Sequence, residues 1–284
     1  LARYREIRKR IQGIKKTQKI TRAMKLVSAA KFARAQGAIQ AARPYAQKLA
    51  EVLASVANGV DADAHPLLTV RNPVRKVDVV VFTSDRGLCG AYNSNIVKFA
   101  ERMIAKRRPE VESISIISVG RKGGDLLKSR RTAPIAHRWS GLARVEPGMA
   151  TEIAQFLVER YQSGAADEVV LVYSEFVSAL TQRPGSHLLL PLKPPAAAGG
   201  PVYTVEPGPE ELLSVLVPRA VEFAVFRALL ENQAGEHGAR MTAMESATSN
   251  TTELIRSYTL DFNKARQAAI TAELVEIVSG AEAL

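Results

Sequence analysis

Cysteine is almost missing from this chain of 284 residues, in which Cys89 stands alone. No intrachain disulfide and no paired thiol switch can form, which suits a reducing compartment. Long apolar runs are missing as well. Those present are short, such as Val79 to Phe82 and Leu188 to Leu190, whereas a spanning helix takes about 20 predominantly apolar residues. No membrane-crossing segment is expected, and no secretory signal, because the first twenty residues carry charge throughout. Histidine is scarce: His65, His137, His187 and His237 are each isolated, so metal-ligand spacing is absent and no metal site is expected. The most telling shortage is of acid at one end, where Glu6 is the one carboxylate in residues 1–34.

That segment holds twelve basic residues, and twelve against one makes +11, the net charge of the whole chain. The remainder, with 27 basic and 27 acidic residues, is neutral. Such a segment should meet an acidic surface, a nucleic acid or an anionic membrane. With 46% hydrophobic residues the chain also buries a sizeable core and is not a disordered protein.

From about residue 3 to residue 57 one seam persists: Ile7, Ile11, Ile14, Gln18, Thr21, Lys25, Ser28, Phe32, Ala35, Ile39, Ala42, Ala46, Leu49, Leu53 and Val56. Spacings of four and three alternate, as in a coiled coil. The seam is apolar at both ends and polar at Gln18, Thr21 and Lys25. Pro44 should at most kink a helix that extends about 80 Å. A second seam runs through Leu230, Ala234, His237, Met241, Met244, Thr248, Thr251, Ile255, Tyr258, Phe262, Ala265 and Ala269. Pro218 marks a kink or a first helical turn before it. Two long helices at opposite ends of a chain predict an antiparallel coiled coil.

The middle reads differently. Strands are expected at Val77 to Thr83, Ser113 to Val119, Val169 to Val177 and His187 to Leu192, with helices at Tyr92 to Lys106, Lys122 to Ser129 and Ala150 to Tyr161. Gln182-Arg183-Pro184-Gly185 is expected to turn a hairpin. The expected fold is therefore α/β plus a long antiparallel coiled coil: N- and C-terminal helices paired, and a central, mostly parallel, Rossmann-like α/β domain. Its divisions are 1–60, 75–205 and 209–284.

Thr83-Ser84-Asp85-Arg86-Gly87-Leu88-Cys89-Gly90 invites a phosphate-binding reading, since a Gly-rich turn before a helix can hold an anion. A P-loop needs Lys and then Ser or Thr after its second Gly, and here Ala91 and Tyr92 stand there. The plainer reading is a tight turn with Asp85 and Asn93 as local caps. Cys89 has no sequence-adjacent His to activate it and reads as a small buried residue. The basic helix is a poor transit peptide, lacking Ser before Ser28 and keeping its heptad phase. Ile7, Ile11 and Ile14 also weaken a DNA-groove reading. So many bases without i,i+4 acids forgo the usual ion pairs of a solvated face, which favours an acidic protein partner. At the far end Ile270, Leu274, Ile277, Val278, Ala281 and Leu284 form an apolar stripe where chain ends are usually polar, and this calls for a sleeve from another protein. Three readings stay open on these grounds: a mechanical coupling protein, a nucleic-acid-binding coiled coil, and a small nucleotide-using enzyme.

The motifs narrow them. Ile7-Arg8-Lys9-Arg10-Ile11, Thr17-Gln18-Lys19-Ile20-Thr21-Arg22-Ala23-Met24-Lys25 and Val27-Ser28-Ala29-Ala30-Lys31 resemble the N-terminal helix of the γ subunits of F-type ATP synthases. Ser84 to Asn93 resembles that family's middle-domain motif. Ala239-Arg240-Met241-Thr242-Ala243-Met244 and Tyr258 to Gln267, with Ile270-Thr271 and Glu273-Leu274, resemble its C-terminal helix. The resemblance covers essentially the whole chain. It implies a non-catalytic rotor shaft inside a hexamer of α and β subunits, at the cytoplasmic face of the bacterial plasma membrane, with no cofactor and no nucleic acid. The shaft would carry proton-driven rotation of the c-ring to the β nucleotide sites. By the same resemblance Met24, Lys25 and Arg240 face acidic β loops, and Arg266, Gln267 and Thr271 reach the β catch region. Tyr203 and Glu206 meet the c-ring and the ε subunit, the chain's membrane contact being through the c-ring alone. This sequence departs from the family at Val205, where an aromatic residue is common. The regulatory cysteine pair of chloroplast γ subunits has no counterpart here, so redox control is not expected.

Overall fold

The computed structural model describes residues 2–57, 65–142, 144–176, 178, 181–194, 206 and 208–282. Its elements are α1 (Ala2–Ala57), β1 (Lys76–Phe82), α2 (Tyr92–Arg107), β2 (Ser113–Val119), α3 (Arg121–Arg130), β3 (Ile135–Trp139), α4 (Pro147–Gln162), β4 (Glu168–Phe176), β5 (Gln182–Leu190) and α5 (Pro209–Glu282). Pro44 lies inside α1 and Pro218 inside α5, so Pro218 does not open its helix. Two compact units emerge, residues 1–28 with 240–284, and residues 29–239. Spatial grouping thus divides both long helices, where the sequence divisions 1–60, 75–205 and 209–284 keep each whole.

In the first unit α1 and α5 run antiparallel. Tyr4 meets Phe262 edge-on at 6.1 Å, Gln18 Nε2 donates to Thr252 Oγ1 at 2.8 Å, the Thr21 and Thr248 hydroxyls share a 2.8 Å bond, and Lys25 pairs with Glu245. Each step up one helix matches a step down the other. The polar stretch of the seam is therefore satisfied across the interface, as buried polar groups must be, and Thr21 and Thr251 are buried.

The second unit holds a five-stranded sheet in the order β3-β2-β1-β4-β5. β1 pairs in parallel with both β2 and β4, β2 pairs in parallel with β3, and β5 returns antiparallel to β4. Central β1, covered on both faces, reads as a nearly continuous apolar run for that reason. Val77, Val79 and Val81 pack with Ile96, Val97 and Ala100 of α2 and Leu127 of α3. Val80 and Phe82 pack on the other face with Ile153 and Leu157 of α4 and with Val217, Val221 and Val225 of α5. One charge interrupts the run. Asp78 is buried and accepts two bonds from Arg160 of α4, Nε at 2.6 Å and Nη2 at 2.9 Å. That bidentate bond raises the Arg160 pKa against the opposing effect of burial.

Two expectations need correction. β3 was not expected, because Ile-Ala-His-Arg-Trp buries only Trp139 fully and shows no two-residue alternation. Gln182-Arg183-Pro184-Gly185 does not turn the hairpin. These residues lie inside β5, opposite Phe176, Glu175, Ser174 and Tyr173. The strand tolerates Pro184 because β5 is an edge, with β4 its one neighbour among the described residues. The chain reverses between Phe176 and Gln182, where Ser178 N donates to Thr181 O at 3.0 Å.

Candidate functional site

Two places invite a functional reading, the turn after β1 and the outer surface of the terminal helix pair. At the turn, Thr83 N donates to Val119 O at 2.8 Å and Gly123 N donates to Thr83 Oγ1 at 2.9 Å. This closeness needs glycine: a Cβ at Gly120 would lie 2.3 Å from Thr83 O, and one at Gly123 would lie 2.4 Å from Thr83 Oγ1. Asp85 accepts Arg121 N at 2.9 Å through one oxygen, and Gly141 N at 2.8 Å and Leu142 N at 2.7 Å through the other. The N–H group that opens α3, which a phosphate would seek, is thus taken by this chain's own carboxylate. Asp85 ties together the ends of β1, β2 and β3 rather than capping α2 locally. Asn93 does not cap α2 either. Its Oδ1 accepts Ser84 N at 2.9 Å, and its Nδ2 donates to Ser84 Oγ at 2.8 Å and Cys89 Sγ at 3.4 Å.

The crevice beyond the carboxyl end of β1 is the usual ligand position in such sheets, because connections leave on opposite faces there. Here α5 reaches into it. Asn232 Nδ2 donates to Thr83 O at 3.1 Å, and Tyr92 Oη donates to Asn232 O at 2.8 Å. Tyr92 is buried, and burial followed by the nearby Glu236 pushes its phenol pKa well up. Cys89 is 2% exposed beneath the same turn, a poor setting for a nucleophile, which needs access as well as a base.

On the helix pair, the seam points in and the charge points out. Ile7, Ile11, Ile14, Gln18, Thr21 and Ser28 are buried or half-buried, whereas Arg5, Arg8, Lys9, Arg10, Lys15, Lys16, Lys19 and Arg22 are exposed. Met24 and Lys25 are half-buried, and the Lys25 ammonium is engaged by Glu245. Arg240 differs from the outward-facing expectation, since it is 7% exposed. Its place on the α5 stripe, four residues before the buried Met244, turns it inward. Arg266, Gln267 and Thr271 are all exposed on the tail of α5, with Thr271 Oγ1 bonded to Gln267 O at 3.0 Å. Glu206 is exposed, and Tyr203 and Val205 lie outside the described residues. Beyond Ala269 the apolar stripe stands in water: Ile270 is 48% exposed, Leu274 58% and Ile277 68%.

Sequence reasoning missed the buried polar run of α5 that includes Glu231, Asn232 and Glu236. A signal was present. Asn232 falls four residues after Ala228 and three after Leu229, in phase with the apolar stripe. No described helix is long and apolar enough to cross a membrane, and among the described residues no cluster of three His, Cys, Asp or Glu is placed to hold a metal.

Known proteins place this architecture. A family model described as ATP synthase matches residues 3–284. The ATP synthase gamma chain of Desulfitobacterium hafniense is 47% identical over 285 residues, covering all of both chains. That of Trichlorobacter lovleyi is 45% identical, covering all of this chain and 99% of the other. Among solved structures, the central stalk and c-ring of the Tetrahymena thermophila mitochondrial ATP synthase aligns with a TM-score of 0.61 at 26% identity, over 80% of this chain and 99% of that one. The rotor of the Euglena gracilis mitochondrial ATP synthase shares the fold, with a TM-score of 0.67 at 21% identity over 95% of this chain and 99% of that one. With paired terminal helices, a mostly parallel sheet formed by the middle of the sequence and a match that runs from end to end, the chain belongs to the ATP synthase gamma-chain family.

Proposed function

We propose that this chain is the rotating central shaft of a bacterial F-type ATP synthase, a non-catalytic subunit. It couples proton-driven rotation of the c-ring to conformational change at the β-subunit nucleotide sites. One observation carries the reading: a helix pair with its basic charge outward ends in an exposed apolar tip. A solvated monomer has little use for such a surface, whereas a shaft in a protein sleeve uses both parts.

In this reading the α and β subunits surround the helix pair, and the ε subunit and c-ring bind through Tyr203 and Glu206. The exposed bases around Met24 and Lys25 meet acidic β loops. Arg240, 7% exposed, faces those loops less openly than the bases around it. Arg266, Gln267 and Thr271 engage β near the tip. Catalysis belongs to the β subunits, because the turn after β1 lacks the Lys and hydroxyl that hold phosphate and magnesium and its crevice is filled by α5. The chain works at the cytoplasmic face of the plasma membrane without entering it.

The test is reconstitution. Combined with α and β subunits, the chain should co-purify as one complex and bring about cooperative ATP hydrolysis. Alone, it should release no phosphate from magnesium ATP and give no micromolar binding in calorimetry. Turnover by the isolated chain that Arg86→Ala abolishes would defeat the proposal and revive the enzyme reading.

A further inference from the structure

The apolar stripe that seats α5 on the sheet does not define where along its axis the helix sits. Leu213, Val217, Val221 and Val225 are fully buried and are spaced by four residues. A helix sliding by four residues, about 6 Å, would bring each into the place its neighbour had held. Apolar contact is non-directional, so this stripe resists separation better than slip. A shaft under torque also needs a contact with direction.

Asn232 and Tyr92 supply one. Asn232 is 2% exposed and Tyr92 5%. The Asn232 amide donates to Thr83 O at 3.1 Å, and the Tyr92 hydroxyl lies 2.8 Å from Asn232 O and 2.9 Å from Asn232 Oδ1. The clasp admits one register. Gly235, one turn further on, faces the Tyr92 ring so closely that a Cβ there would lie 3.0 Å from Cε2 and 3.1 Å from the hydroxyl oxygen. An Asn followed three residues later by Gly suits this gap, and α5 has no second such pair. Thr83 is well anchored to receive the force. It follows β1, the central strand, and is bonded to Val119 at the end of β2 and to Gly123 of α3.

We propose that the Thr83–Asn232–Tyr92 clasp fixes the axial register and rotation of α5 on the α/β unit, so that torque passes between sheet and helix at Asn232. In effect the crevice where related sheets hold a ligand has become the grip on the shaft helix. Asn232 and Tyr92 are positioning residues, and the proposal rests on the shaft reading given above.

The test compares wild type with Tyr92→Phe and Asn232→Leu, in the full complex with α, β, ε and the c-ring reconstituted into vesicles carrying a pH-sensitive dye. Both variants should assemble and hydrolyse ATP within about twofold of wild type. Against an opposing proton gradient, protons pumped per ATP should fall at least twofold. The double variant should be no worse than Asn232→Leu, since both changes open one clasp. Amide exchange across residues 228–236 of the full chain should quicken in each variant. Unchanged pumping per ATP overturns the torque assignment even if exchange quickens, and so does a parallel fall of hydrolysis and pumping, which marks a merely structural loss. Tyr92→Phe removes a single oxygen, so it keeps the test decisive if Asn232→Leu does not fold. Failure of the wild-type chain to join α and β subunits would be the failure of the shaft reading itself, seen before any variant is made.

Discussion

Removing one partner of the Asp78–Arg160 pair should have very different consequences depending on which partner goes. The Asp78 side chain is 2% exposed and that of Arg160 22%. Arg160→Met leaves a carboxylate sealed against the sheet with its two donors gone. Breaking a buried pair in this way costs about 3–5 kcal/mol, and the enclosure of Asp78 puts this case in that range. Asp78→Asn leaves the guanidinium at the margin, where water reaches it and the amide oxygen still accepts one bond. The loss there is nearer that of a single charged hydrogen bond, about 1.5–3 kcal/mol. Asp78→Val with Arg160→Met should recover part of the larger loss, because no charge is then left in the core. Trp139 is the one tryptophan, is 9% exposed, and packs against Phe156 of α4 at 5.2 Å, so its fluorescence reports on this face of the sheet. Urea titrations followed by that signal give the order directly. Should Asp78→Asn prove as damaging as Arg160→Met, the argument from unequal burial is wrong.

Three further outcomes are expected. Burial raises the Asp167 pKa, but bonds from Arg75 N, Lys76 N and Arg71 outweigh it and leave the carboxylate below its ordinary value of 3.8. Its stabilising effect is therefore full above about pH 4 and disappears as pH falls through the lowered pKa. Asp167→Asn should lower stability at pH 7 and flatten the acid limb, and parallel wild-type and variant curves from pH 7 to pH 2 would count against this. Lys25→Glu sets two carboxylates together with Glu245 and should cost at most about 1 kcal/mol, the pair being partly exposed. Adding Glu245→Lys should restore stability but not the pumping per ATP, because the outward charge stays reversed; full recovery of both would remove the electrostatic role. Arg240→Glu is unsuited to that comparison, since it would bury a carboxylate. Cys89→Ala should leave ATP synthesis by the assembled complex nearly intact, with oxidants without effect through it, and loss of activity in a normally assembled variant would show a role beyond packing.

What the amino-acid order determined by itself was everything that rests on local periodicity. The alternating steps of three and four marked α1 and α5, and the seam positions from Ile7 to Val56 are all buried or half-buried. A helix shows its partner a fixed face, so spacing is enough. The valine-rich run of β1 was equally clear, because a central parallel strand is apolar on both faces. Motif order along the chain pointed to the γ family before any fold was in view. Tertiary structure decided what depends on distant neighbours. β3 is a strand because β2 offers it an edge, although its own five residues carry no alternation, and Pro184 sits in β5 because, among the described residues, that strand has no second neighbour to supply with a hydrogen bond. Lys25 finds Glu245 through the packing of two helices whose partners lie more than two hundred residues apart. The polar run of α5 gained meaning only when Asn232 was seen against Thr83 and Tyr92. A hydrogen bond is short and directional, so which polar residue finds a partner is settled by the fold, whereas which apolar residue turns inward is already written in its spacing.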